Sequence, residues 1–500
     1  MDMNVDTLVV ILRAMASAFI VVLGIAALVI VVLFIIDRTQ TADAVRRNYP
    51  VIGRFRHLFS ELGEFFRQYF FAMDREEMPF NRAQRDWVAR ASAGKPNMVA
   101  FGSTRNLTLP GTPIFVNAPF PTLDEDSATT QPLRIGPNCR VPYDAPSFFN
   151  ISGMSYGALS RPAVEALSAG AAKAGIWMNT GEGGLSDYHL SGGCDVVFQI
   201  GTAKYGVRDL DGNLSDERLK ILAAIAQVRM FELKMAQGAK PGKGGILPAA
   251  KVSAEIAAIR GIPQGQASIS PNRHPDIASN EDLIERLMHI REVTGKPVGF
   301  KTVVGDEGPL DLFLRDVAAR GPDSAPDFIT IDSGDGGTGA APMPLMDLVG
   351  LTLRESLPMV SDLLHKHGLR DRVRLIVSGK LIVPGDVAWA LAMGADFVVS
   401  ARGFMFSLGC IQALKCNKNT CPTGITTHNK RLQKGLVPRS KAERVAHYAQ
   451  GIIHDVEVIA HSCGVREPRE LRRHHVRQVQ DNGRSELMST LYPRPELADQ

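Results

Sequence analysis

The sequence predicts an α/β protein, a (β/α)8 TIM barrel with an N-terminal transmembrane helix. Three observations lead there. An uncharged apolar run lies near the N-terminus, short apolar segments alternate with longer amphipathic ones beyond Ser147, and the glycine-rich and charged strings fall just after the apolar segments. In a parallel barrel that is where chemistry sits, at the C-terminal ends of the strands. A chain of 500 residues holds such a domain, which commonly takes ~250 residues or more, with smaller pieces beside it.

The first element is the run Ala14–Ile36, 23 residues without a charge. As a helix it spans a hydrocarbon core of ~30 Å. A signal peptide has a shorter apolar core and a small-residue cleavage site, whereas Asp37 and Arg38 follow here. Asp2, Asp6 and Arg13 precede the run, and Arg38, Arg46, Arg47, Arg54 and Arg56 come after it. The positive-inside rule therefore predicts a single-pass protein of the inner (cytoplasmic) membrane with its catalytic domain in the cytoplasm. Residues 38–95 read as helical. The stretch 58–76 is amphipathic, with Phe59, Phe65, Phe66, Tyr69, Phe70 and Phe71 able to pack on the main domain or to lie in the membrane interface. Packing is the default expectation. Residues 100–146, rich in Pro, Gly, Asn and Thr, read as irregular.

The strand-like segments are FFNISG (148–153), FELKM (231–235), PVGFKTVV (297–304), DFITIDSG (327–334), RLIVSG (374–379) and DFVVSA (396–401). Helices are expected at about 160–174 and 249–260 and between the later strands. An open doubly wound sheet is the rival, but no G-x-G-x-x-G string follows an early strand. SGDGGTG (333–339) brings four glycines to a strand end, where backbone amides can approach a flavin or a phosphate. SGK (378–380) and ARG (401–403) end the last two strands, with Lys380 and Arg402 as cations at the usual phosphate position of such barrels. The expected organisation is an anchor over 1–37, a helical and irregular region over 38–145, the barrel over 146–465 and a polar tail over 466–500.

A hydrophobic content of 45%, a charged content of 22% and a net charge of +4 are ordinary for a globular protein, so nucleic acid is not an expected partner. Six cysteines at this length argue for a reducing compartment rather than a disulfide framework. Cys139, Cys194 and Cys463 read as buried thiols. Cys410, Cys416 and Cys421 are different: their C-x5-C-x4-C spacing ends on Cys-Pro and suits a three-iron four-sulfur (3Fe-4S) cluster with one thiolate on each iron. Structural zinc, with His428 as a fourth ligand, is the alternative.

The strings ISGMSYGALS (151–160), NTGEGG (179–184), KMAQGAKPGKGG (234–245), HPDI (274–277), SGDGGTGA (333–340) and NTCPTG (419–424) together resemble the FMN-binding synthase domain of glutamate synthase. The resemblance covers roughly two-thirds of the chain, from about 145 to 465. It implies a barrel that binds FMN and a 3Fe-4S cluster, in which reduced flavin delivers hydride to the imine of 2-oxoglutarate and makes L-glutamate. The cluster ligands fall on Cys410, Cys416 and Cys421. Flavin contacts fall on Met154, Ser155, Gln237, Lys301, Gly334, Gly336, Gly337, Ser378, Gly379, Lys380 and Gly403. The catalytic and substrate residues fall on Glu182, Lys234, Gln237 and Arg260.

The sequence also departs from the family. The first cysteine is Cys139, so no N-terminal cysteine nucleophile is available to hydrolyse glutamine, and nitrogen is expected as ammonia, as an amine, or from a separate glutaminase. Ser378-Gly379-Lys380 stands where the large enzymes have Asp-Gly-Gly, and ISPNRHPDI differs from the usual double-proline, double-histidine form. Two readings follow. One is a membrane-anchored, FMN- and iron–sulfur-dependent oxidoreductase acting on CH-NH2 donors, fed with electrons by ferredoxin or a reductase subunit. The other is a cofactor-bearing electron-transfer or interaction subunit of a membrane complex, without amino-acid synthesis of its own.

Overall fold

The computed structural model describes residues 5–495 and divides into two compact units after Arg82. The first opens with α1 (Val5–Thr39), a helix of 35 residues that contains the whole uncharged run. A short α2 (Ala44–Asn48) and α3 (Ile52–Phe66) follow, and α3 runs on into a π-helical turn over Arg67–Phe71. The aromatics of this stretch do not pack into a core: Phe59, Phe65, Phe66, Tyr69, Phe70 and Phe71 are all exposed.

The second unit begins in α4 (Arg82–Ser92), then has β1 (Pro113–Phe115), a hairpin of β2 (Leu133–Ile135) and β3 (Tyr143–Ala145), and β4 (Phe149–Ile151). The helix α5 (Arg161–Ala174) shows why the sequence folds as it does. Ser160 caps its start by accepting the Ala163 amide, and Gly175 ends it in the left-handed region at φ 65°. A Cβ at Gly170 would lie 2.5 Å from Val445, so glycine lets α5 press against the long helix Pro438–Ser462.

The remaining strands are β5 (Met178–Asn179), β6 (Val196–Ile200), β7 (Val228–Lys234), β8 (Ile246–Leu247), β9 (Ser268–Ile269), β10 (Val298–Thr302), β11 (Phe328–Asp332), β12 (Arg374–Ser378) and β13 (Phe397–Ser400). β4 and seven of these close a parallel barrel in the order β4-β5-β6-β7-β10-β11-β12-β13, and β13 returns to β4 through Val398 opposite Phe149. The predicted barrel is therefore the observed one. The strands are apolar and almost wholly buried, as parallel strands covered by helices must be. Ile135, Tyr143 and Ala145 of the β2–β3 hairpin share a core cluster with Trp177, Phe328 and Phe397, which lie at the strands' N-terminal ends. The hairpin thus plugs the floor. β8 and β9 form a small ribbon in the long segment between β7 and β10.

The expected polar tail is in fact folded through Leu491. β14 (Val476–Val479) pairs with β1 on one side and β15 (Ser485–Leu487) on the other, and Arg473 is buried against Asp362 at 2.7 Å. Residues 100–146, expected to be irregular, supply β1 and the floor hairpin. The expected helix over 249–260 is a 3-10 turn followed by a helix over Ala254–Arg260.

Candidate active site

The C-terminal ends of the barrel strands surround a cavity of about 160 Å³. Its wall carries Met154, Ser155, Glu182, Lys234, Gln237, Arg260, Lys301 and Gly337 from the expected set, with Cys416 at one side. The charge on that wall is lopsided. Lys234, Lys240, Lys251, Arg260, Lys301 and Arg402 are six cations on a wall that carries one carboxylate, Glu182, while Lys301 is also paired with Asp332 behind it. A site of that balance takes anions.

Glu182 follows β5 in a tight glycine-bounded loop. A Cβ at Gly201 would meet Glu182 Cβ at 2.6 Å, and one at Gly245 would meet its Oε1 at 2.3 Å, so both glycines make room for the carboxylate. Lys234, the last residue of β7, places its Nζ 3.1 Å from Glu182 Oε2 and donates to Gln237 Oε1 at 2.7 Å. Lys240 Nζ sits 3.9 Å from Glu182 Oε1. Burial would raise the Glu182 carboxyl, but Lys234, Lys240 and Arg260 outweigh it and hold the group at about 2. Burial, helped by repulsion from Lys234, pulls Lys240 down to about 8. Arg260 is buried too. Its Nη1 donates to Ser268 Oγ at 3.1 Å and its guanidinium lies over the Tyr205 ring, while Nε has no protein partner. A buried, unpartnered guanidinium nitrogen on an anion-selective wall fits a ligand carboxylate.

A polar layer fills the barrel below. Lys301 of β10 pairs with Asp332 at 3.1 Å, and Asp332 also accepts the Gly238 amide at 2.9 Å. Glu232 of β7 accepts from Asn179 at 2.8 Å, Gln199 at 2.7 Å and Thr330 at 2.6 Å. Burial opposes the Lys301 charge, yet Asp332 and Glu232 hold its pKa above the ordinary lysine value. His274, from the HPDI string, bonds through Nε2 to the Lys234 carbonyl at 3.0 Å, and burial pushes it down to about 4. A neutral imidazole thus donates to the backbone of Lys234 and fixes where that side chain begins.

Gly334, Gly336, Ser378, Gly379, Lys380 and Gly403 are not on the cavity wall. The loop after β11 folds over the end of β12: a Cβ at Gly379, whose φ is 150°, would lie 2.3 Å from Ser333, and Lys380 is tied to Asp335 at 2.8 Å. The missing Cβ of Gly334 faces the Gly350 backbone, and that of Gly403 faces the Tyr448 ring. These glycines have packing reasons of their own.

The three cysteines lie on one loop beyond β13. Cys410 Sγ accepts the Gln412 amide at 3.5 Å, Arg402 Nη1 lies 3.8 Å from Cys416 Sγ, and Thr423 Oγ1 lies 3.3 Å from Cys421 Sγ. Arg402 Nη2 also donates to Thr338 O at 2.7 Å, so one guanidinium joins the loop after β11 to Cys416. Burial raises the Cys421 thiol, but hydrogen bonds from Thr423 and Thr426 bring it down to about 7. By contrast, burial drives Cys139 up to about 12 and both Cys194 and Cys463 up to about 11, which suits inert core thiols. Amide, hydroxyl and guanidinium donors around three thiols fit a thiolate-bound cluster. Among the described residues, no three His, Cys, Asp or Glu side chains converge to seat a single metal ion. His428, the fourth ligand a zinc site would need, bonds the Gly157 carbonyl at 2.9 Å.

Lys240, Lys251 and His274 had no individual signal in the sequence. Lys251 is buried, and its ammonium donates to the carbonyls of Thr426 at 2.7 Å, Cys416 at 2.9 Å and Ala158 at 3.4 Å. It locks the cysteine loop to the cavity wall, and burial lowers it to about 8.

The family model for the conserved region in glutamate synthase matches residues 124–466. A glutamate synthase large subunit-like protein of Bacillus subtilis is 39% identical over 504 residues, covering 92% of this chain and 95% of its own length. An archaeal glutamate synthase [NADPH] of Methanocaldococcus jannaschii is 35% identical over 341 residues, which is 68% of this chain and 62% of that protein. The chain thus spans less than two thirds of the archaeal relative. Among solved structures, a mandelate oxidase overlaps 81% of this chain and 90% of its own at a TM-score of 0.43 and 16% identity. A flavocytochrome b2 overlaps 84% and 87% at 0.45 and 12%.

Proposed function

The chain belongs to the glutamate synthase family, and from that membership we propose that its cavity binds FMN and a 2-oxoacid and makes an amino acid, with L-glutamate from 2-oxoglutarate as the expected case. The observation that supports this most directly is the cation-rich wall around one carboxylate, which suits a dicarboxylate beside a reduced flavin. Reduced FMN would supply the hydride, and a 3Fe-4S cluster on Cys410, Cys416 and Cys421 would supply single electrons. Met154, Ser155, Gln237, Lys301 and Gly337 border the space for the flavin, with Gly334, Gly336, Ser378, Gly379, Lys380 and Gly403 as its expected phosphate end.

The chain's own residues bind and orient. Lys234 and Arg260 hold the two carboxylates, and Gln237 hydrogen-bonds the 2-oxo carbon's substituent. Condensation with ammonia or an amine releases water. Glu182, ionised at any pH above about 2, accepts an N–H of the resulting iminium and favours its positive charge. Hydride addition to the imine carbon then gives the amino acid. Lys301 places a fixed positive charge where negative charge gathers on a reduced flavin. Electrons are expected from ferredoxin or a reductase subunit, and nitrogen from ammonia, an amine or a separate glutaminase. α1 is long and apolar enough to cross a membrane, and the arginines after it place the barrel on the cytoplasmic side of the inner membrane in this reading.

The test uses full-length protein purified anaerobically in detergent and photoreduced. Adding 2-oxoglutarate with ammonia should restore the oxidised flavin spectrum and yield glutamate, and glutamine in place of ammonia should yield none. Iron should be present at about three per chain. If no 2-oxoacid oxidises the flavin with any amine, the chain is an electron-transfer subunit and the enzymatic reading falls.

A further inference from the structure

The apolar face of α3 is exposed. At 100° per residue, Phe55, Phe59, Leu62, Phe65 and Phe66 fall within an arc of roughly 120°, and Phe70 follows in the π-helical turn. All six are between 37% and 67% exposed. The opposite arc carries Arg56, Ser60, Glu61, Glu64 and Arg67. Such a helix would be an aggregation hazard in water unless something apolar lies against that face.

The start of α3 is fixed by a buried clasp. Asp37, the residue that ends the uncharged run of α1, is fully buried. It accepts from Arg46 Nη2 at 2.6 Å and Nε at 3.0 Å, from Arg54 Nε at 2.7 Å, and from the Val51 amide at 3.0 Å. The clasp holds Val51 in the left-handed region at φ 65°, a conformation a β-branched residue resists. Gly53 completes it, since a Cβ there would sit 3.0 Å from the Arg46 backbone. Two arginines and a strained valine thus set the first turn of α3 against the end of α1.

We propose that α3 is an interfacial helix whose aromatic arc lies in the boundary between lipid headgroups and acyl chains, directly beside the point where α1 leaves the bilayer. The proposal rests on the reading of α1 as a membrane span. Continuity favours lipid over a soluble partner: the clasp puts α3 at the depth where the apolar run ends, and aromatic side chains are the ones that settle at that depth.

The full-length chain is reconstituted in phosphatidylcholine vesicles whose acyl chains are brominated either near the headgroup or near the terminal methyl. Single tryptophans are added as Phe65→Trp, Ser60→Trp and Ile25→Trp, and emission from the parent chain's own tryptophans is subtracted. Phe65→Trp should be blue-shifted, with shallow bromines reducing its emission by roughly half and deep ones less. Ser60→Trp should be unaffected, and Ile25→Trp should be quenched most by deep bromines. If Ile25→Trp is quenched and Phe65→Trp behaves like Ser60→Trp, the inference is wrong while the span stands. A blue-shifted Phe65→Trp that neither lipid quenches means another protein surface covers the arc, which also overturns it. An unquenched Ile25→Trp removes the span, and the inference with it.

Discussion

The two ends of the barrel use buried charge for opposite purposes. At the N-terminal floor, Asp327 accepts the Val298 amide at 2.8 Å and Arg291 at 2.9 Å, and Asp396 accepts the Leu375 amide at 2.7 Å and Arg370 at 3.0 Å. Each carboxylate ties the residue before one strand to the backbone of its neighbour, so its charge belongs to the fold. At the C-terminal mouth, the lysines that reach Glu182 come from side chains alone and can transfer to another anion. Saturated charge locks a structure, and surplus charge binds a ligand.

Substitutions at the two ends should therefore separate stability from activity. The largest effect is expected for Asp327→Ala, which leaves the largely shielded Arg291 and Arg372 without their counter-ion. Chemical denaturation should show a loss of ~3–5 kcal/mol, with cofactor content unchanged in the molecules that remain folded. Lys234→Ala should do the reverse. Turnover per substrate encounter should fall ~100-fold, or ~2.7 kcal/mol in transition-state binding, with stability within ~1 kcal/mol of the parent. Equal stability losses from the two would erase the contrast.

The smallest expected effect is on pH dependence, through His274, a mouth residue that serves the fold as the floor residues do. Its folded pKa of about 4 lies below the ordinary 6.5, so the unfolded chain binds the extra proton. Stability is then complete above about pH 6.5 and is lost as pH falls toward 4. Denaturation at several pH values should show a drop on the order of 2–3 kcal/mol across that window, reduced in His274→Gln. A flat profile in the parent chain would mean the imidazole is not held neutral.

Much of this architecture was legible in the sequence because parallel strands buried on both faces read as continuous apolar runs, as in Phe328–Asp332 and Arg374–Ser378. β5 was not legible, since two residues, Met178–Asn179, carry no periodicity and the string around them reads as a loop. The C-terminal segment misled because its basic composition looks solvated, whereas Arg473 is matched by Asp362 more than 100 residues earlier in the chain. The same limit applies in the site. Glu182, Lys234 and Gln237 stood within ordered strings, Arg260 stood outside them, and all four meet at one cavity. Lys240 and Lys251 are distinguished only by burial and by partners such as Thr426, which composition does not reveal. The glycines of the loop after β11 also carry packing roles: the missing Cβ of Gly334 is required by Gly350, a neighbour that spacing does not disclose.

The closure of the barrel sets a timetable. β4 finds one of its two neighbours in β13, about 250 residues later in the chain, through Phe149 with Val398 and Ile151 with Ser400. At translation speeds of ~5–20 residues per second, the first barrel strand waits tens of seconds for the strand that completes it. For that interval its Phe149–Ile151 edge has unpaired backbone groups and two apolar side chains, Phe149 and Ile151, on one face, the kind of edge that recruits other chains. A ribosome-bound chain paused before Phe397 should therefore be at its most chaperone-dependent, and that dependence should end within a few tens of residues after Ser400 emerges.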